Sequence, residues 1–226
     1  MDAVGLAPWT RWLGEPDYDA DGVPRYQTWE VWLDGVVHAM NAVWVCWSIQ
    51  VLVRVSSQLP FVVYAACTAL LCASSAAYNL IACGPLHYKP HLLRKLDHAA
   101  IYLFIGGCYT PLFWRTSGFP VIWVLCLTGA FTKLTHGRAF EVAGMCGYLA
   151  LGAFPLLLVP RGTRLHAKLL QCSACYAFGA TFYLNNKLRG AMAYWHVCVL
   201  AGNVLYWRIV MQAAVCARLL DQKCFL

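Results

Sequence analysis

The sequence predicts an all-α protein, an integral membrane bundle of seven transmembrane helices. Three observations carry that expectation. The first is composition: of 226 residues, 61% are hydrophobic and only 12% are charged. An ordinary soluble domain is roughly half apolar and about a quarter charged. With 17 basic and 10 acidic residues, a soluble fold of this length lacks a polar surface. Disorder, a coiled coil and most soluble enzymes are excluded, and a bilayer is the solvent that fits. The second observation is patterning. Stretches free of Asp, Glu, Lys and Arg run over 35–53, 55–88, 99–114, 116–132, 142–160, 169–186 and 190–207. Each approaches or exceeds the ~20 residues a helix needs to cross hydrocarbon once its half-buried ends are counted. The third is punctuation: the connections are short and hold the helix breakers.

Residues 1–29 mix Asp2, Glu15, Asp17, Asp19 and Asp21 with Arg11 and Arg25. They read as a polar tail without the basic start and apolar run of a cleaved signal peptide. The first span is therefore expected to act as its own insertion signal. The membrane domain is expected over 30–214, with a short C-terminal tail over 215–226. Its spans fall near 30–53, 60–83, 97–114, 118–135, 141–159, 167–185 and 191–214. Run 55–88 is too long for one crossing; Pro60 opens its core, and Gly84-Pro85 ends it. Ser56-Ser57-Gln58, Ser117-Gly118, His136-Gly137, Pro160-Arg161-Gly162 and Asn185-Asn186-Lys187 mark the other connections.

Trp29, Trp32, Trp114, Trp195 and Trp207 fall near span ends, where interfacial anchors belong. Nine Lys and Arg lie on the N-terminal side and eight on the other, a slight bias toward a cytoplasmic N-terminus. The net charge of +7 suits anionic lipid surfaces rather than nucleic acid. Most of the 12 cysteines lie inside spans and read as small hydrophobes, with no disulfide framework. Cys172 and Cys175 form a CxxC without a second pair, which reads as packing. Cys83 and Cys224 are positions open to palmitoylation.

Polar groups in hydrocarbon are expensive, so each is a site hypothesis. Glu30, Asp34 and His38 are spaced by four and share one helical face. Ser75 and Asn79 close the second span with the same spacing. Asp97 and His98 open the third. Met192 and His196 open the seventh, and Asn203 follows His196 on its face. The alternation of spans puts all of these in one leaflet, within about two turns of the N-terminal-side boundary. Four helices supplying carboxylates and imidazoles at one depth predict a polar pocket.

Several of these stretches resemble the haemolysin III branch of the progestin and adipoQ receptor family. The most specific is Leu96-Asp97-His98 through Tyr109-Thr110-Pro111, preceded by Ser75-Ala-Ala-Tyr-Asn79. Glu30-x3-Asp34-x3-His38, Tyr148 to Gly152, Tyr176-x2-Gly179 and Trp195-His196-x2-Val199-x2-Gly202 support it. The resemblance covers roughly 27–212. It implies a seven-helix bundle with a cytoplasmic N-terminus, related to lipid amidases. It also implies zinc held by a Ser-x3-His at the end of span two and a His-x3-His at the start of span seven, with an Asp of span three holding the water. Here Ser75, Asp97 and His196 keep their positions. Asn79 and Met192 stand where two histidines are implied. Asn is a weak neutral donor and Met a soft thioether suited to Cu(I).

Three functions follow from the resemblance. The first is a receptor-like or regulatory protein with a degenerate zinc site, holding far less than one zinc per chain. The second is a zinc-dependent hydrolase of lipid amides, ceramidase-like, with catalytic Asp97 and Ser75 and a ligand set rebuilt from residues such as His38, Asp97 and His196. The third is a channel or transporter, which needs polar residues continuing to the far side. Membrane lipid, and a lipid ligand or substrate, are the implied partners.

Overall fold

The structure is a computed structural model that describes residues 27–82, 91–136, 141–185 and 188–223. Within them all regular structure is helical. The helices are α1 (Thr28–Val55), α2 (Leu59–Ala82), α3 (His91–Phe113), α4 (Phe119–His136), α5 (Glu141–Ala153), α6 (Pro155–Leu158), α7 (Arg164–Leu184) and α8 (Ala191–Lys223). Helices α1, α2, α4 and α8 are long and apolar enough to cross a membrane. The short α6 continues α5 past a break at Phe154, where Pro155 has no N–H to extend the ladder.

Most boundaries fall within a few residues of those read from charge. Two do not. Helix α3 begins at His91, because Arg94 and Lys95 are good helix formers and continue the helix below the apolar run. Helix α8 runs through Lys223, so most of the expected C-terminal tail is helix. Ala213, Ala214, Ala217, Arg218, Leu219 and Leu220 favour that extension.

The helices form a ring in chain order, α1 against α2, α2 against α3, α3 against α4, then α5 against α7 and α7 against α8. The ring closes where α8 packs on α1. Helix α3 also touches α5 and α8, which makes it the central element. One core cluster joins Leu52, Phe61, Tyr64, Phe104, Leu169, Cys172, Tyr206 and Val210. A second joins Tyr102, Tyr109, Ile122, Cys126, Met145 and Tyr148. Cys172 of the CxxC is thus core packing. Cys83 and Cys224 lie outside the described residues.

Small residues set the closest helix approaches. A side chain at Gly107 would meet the Cβ of Cys67 at 2.6 Å, and one at Gly202 would meet the Tyr176 ring at 2.6 Å. Such contacts suit helix packing in lipid, where close backbone approach replaces hydrophobic association.

Burial is inverted relative to a soluble protein. Trp32, Val43, Leu59, Phe131 and Leu157 face outward, while Glu30, Asp34, Asp97, Lys133 and Arg189 are buried. A bilayer makes both halves of that pattern favourable. The chain is an integral membrane protein. Lys133 and Arg189 therefore are not headgroup-facing loop charges as the tally of Lys and Arg assumed. Removing them erases the slight N-terminal-side excess. Among the tryptophans, Trp32 and Trp114 are exposed near helix ends, and the Arg115 guanidinium lies 5.0 Å from the Trp114 ring centroid. Trp207 instead falls mid-helix, because α8 is longer than expected. Its indole N–H donates to the Ser48 carbonyl, and its ring meets Trp44 edge-on and Trp47 at a tilt.

Candidate metal centre and cavity

Closure of the ring lays the first turns of α1 along those of α8. Gln27 caps α1, and Glu30 completes a capping box with its side chain accepting the Gln27 N–H at 2.7 Å. The four-residue steps from Glu30 then aim Asp34 and His38 at α8. Asp34 Oδ1 lies 2.5 Å from His196 Nδ1. Asp34 Oδ2 lies 3.5 Å from His38 Nε2. The His38 and His196 rings are 4.4 Å apart, centroid to centroid. One donor atom from each of the three residues falls within 4.8 Å of the others.

That group can hold a metal ion. It offers one carboxylate and two imidazoles, a donor set suited to borderline divalent ions. All three residues are buried. An ionised carboxylate only accepts, so the short contact calls for a proton on His196 Nδ1. His38 Nε2 is buried without a hydrogen-bond partner. Such an atom in a native fold calls for a ligand, ion or water.

The zinc positions implied by the resemblance fit less well. Asn79 spends its amide on its own helix, donating to the Ser75 carbonyl at 2.9 Å and to Ser75 Oγ at 3.3 Å. Met192 lines the cavity with a thioether. Asp34 supplies the carboxylate beside the two histidines, where the sequence reading placed Asp97 with them.

Beside this group lies an open cavity of about 780 Å³ lined by α1, α2, α3, α5, α6, α7 and α8. Its polar lining includes His38, Asn41, Ser75, Arg94, Asp97, His98 and His196; Leu71, Phe104, Ile105, Leu149, Leu169 and Val199 make it largely apolar. His98 Nδ1 lies 3.7 Å from Asp97.

The remaining residues singled out from sequence have other partners. His98 bonds the Arg94 carbonyl at 2.8 Å and the Tyr183 hydroxyl at 3.0 Å. Asn203 accepts from the Tyr176 hydroxyl at 2.7 Å. Glu30 stands one turn before Asp34 and binds Arg189 at 3.2 Å and the Gly190 N–H at 2.7 Å. Trp195, expected at an interface, lines the cavity and packs on Tyr183. Sequence reading missed Arg189, Tyr183 and Lys133. Proximity to predicted boundaries disguised the two cations. A buried partner such as Glu30 was the only signal that could have found Arg189.

Comparison with known proteins agrees with this architecture. Residues 28–207 match the haemolysin-III-related family. Hemolysin-3 of Bacillus cereus is 33% identical over 132 residues, 53% of this chain and 60% of that protein. A Hemolysin-3 homolog of Bacillus subtilis (strain 168) is 30% identical over 132 residues, 53% of this chain and 62% of that protein. The matched region thus spans about three fifths of these curated relatives. No solved structure matches the chain. With the family match running from the start of α1 into α8 and taking in every residue of the Asp34–His38–His196 group, the chain belongs to the haemolysin-III-related family.

Proposed function

We propose that the protein is a zinc-dependent membrane hydrolase acting on a lipid amide, with its metal centre rebuilt from Asp34, His38 and His196. The observation that carries this reading is the convergence of those three donors beside a large, mostly apolar cavity. His38 and His196 would hold such an ion through ring nitrogens and Asp34 through its carboxylate. Such an ion supplies Lewis acidity and an activated water when bound. Asp97, facing the same cavity, would orient the attacking water and accept its proton. The apolar walls hold the acyl chain and exclude bulk water. Seven crossings with a cytoplasmic N-terminus complete the proposal. The helical ring and the resemblance of 27–212 support that topology, while the corrected charge count no longer does.

Metal analysis of the purified chain tests the centre. About one zinc per chain is expected, lost in His38→Ala and in His196→Ala but kept in Asn79→Ala and Met192→Leu. Zinc-free wild-type protein, or zinc that survives both histidine changes, would overturn it.

A second reading is a receptor-like or regulatory lipid-binding protein. The direct 2.5 Å contact between Asp34 and His196 favours it, since the pair satisfies itself without an ion. Lipid binding without turnover of a ceramide-type amide would select it. A channel is disfavoured by the hydroxyls nearer the opposite ends of the helices. Ser48, Thr68 and Thr110 each spend their hydroxyl proton on a carbonyl of their own helix.

A further inference from the structure

Glu30 is buried, and both of its carboxylate oxygens are engaged. Oε2 accepts from the Gln27 N–H at 2.7 Å and from Arg189 Nη1 at 3.2 Å. Oε1 accepts from the Gly190 N–H at 2.7 Å. Glu30 and Arg189 are 6% and 7% exposed, so this is a desolvated charge pair. We infer that Glu30 and Arg189 form a clasp that sets the axial register of α1 on α8, and so positions Asp34 and His38 against His196.

The spacing makes the link. Asp34 lies one step of four beyond Glu30, about 6 Å along α1, and His196 lies six residues beyond Gly190, about 9 Å along α8. The two helices run side by side away from the clasp. They are bonded first at Glu30–Gly190 and next at Asp34–His196. A slide of one turn, about 5.4 Å, would break both levels together. Gly190 has φ +72°, and the Trp29 ring stands 3.3 Å from where its Cβ would lie. That backbone conformation favours glycine and presents the N–H to Glu30. An apolar pair of similar volume would close this end of the bundle at no desolvation cost. A charged, directional pair adds a defined register, which apolar contacts between helices in lipid do not.

The positioning role rests on the metal-centre reading for its purpose, but its geometry can be tested without metal. Histidine-labelled full-length protein in detergent should show a far-downfield proton for His196 Nδ1–H bonded to Asp34, assigned by its loss in Asp34→Asn. In Glu30→Gln and Arg189→Met, that proton should move upfield or broaden away while helix content is kept. Arg189→Lys should restore much of it. Zinc Kd should rise about 10–100-fold in the same two variants, the usual cost of losing an outer-shell support. An unchanged His196 proton in folded Glu30→Gln overturns the clasp. Should Arg189→Met fail to fold, Glu30→Gln and Gly190→Ala carry the same test. Wild-type protein that shows the proton yet binds no zinc refutes the metal reading and leaves the clasp standing.

Discussion

At His196, ring nitrogen Nδ1 is committed to Asp34. Asp97 occupies a different place, next to His98. If it is the base of the proposed hydrolysis, Asp97→Asn should lower turnover of a lipid amide by about 10²–10⁴-fold, with zinc content unchanged by elemental analysis. Tyr183 bears on His98 from α7, at 3.0 Å. Tyr183→Phe removes one hydrogen bond to a buried ring. It should cost about 1 kcal/mol, read as a lower midpoint in thermal unfolding in detergent. Residue types and spacings made Asp34, His38, Asp97 and His196 legible in the sequence. Their pairing was not, because a four-residue step fixes a face but not which neighbouring helix that face meets.

The helices differ in how they are held. Helix α3 is flanked on several sides and carries close approaches at Gly107 and a proline at Pro111 in its last turn. Helices α7 and α8 meet where Gly202 faces Tyr176, whose hydroxyl donates to Asn203. Gly202→Val and Gly107→Val should each destabilise the fold by about 1–3 kcal/mol through overpacking. Gly152→Ala, with open space around its Cβ position, should stay near wild type in the same unfolding assay. Charge-free runs located each helix well because a charge in hydrocarbon is costly. They failed at the start of α3 and the end of α8, where helix propensity carries the chain past the apolar limit.

The molecule as a whole turns its apolar side chains outward and its few charges inward. Single-tryptophan variants give a direct check with lipids brominated in their chains. Trp32, 72% exposed, should be strongly quenched, and Trp195, packed against Tyr183, much less. Equal quenching would contradict the inverted burial. The sequence by itself determined the solvent, the helical class and the family resemblance, because hydropathy and local motifs are properties of contiguous residues. It also determined that carboxylates and imidazoles gather at one depth. Only the tertiary structure decided that Asp34 is the carboxylate that meets both His38 and His196, that Asn79 turns back on its own helix, and that Arg189 is buried against Glu30. The pairings of Asp34 with His196 and of Glu30 with the Arg189–Gly190 turn depend on closing α8 onto α1, a contact between residues about 160 positions apart. Local spacing cannot encode such a contact; packing of the whole ring fixes it.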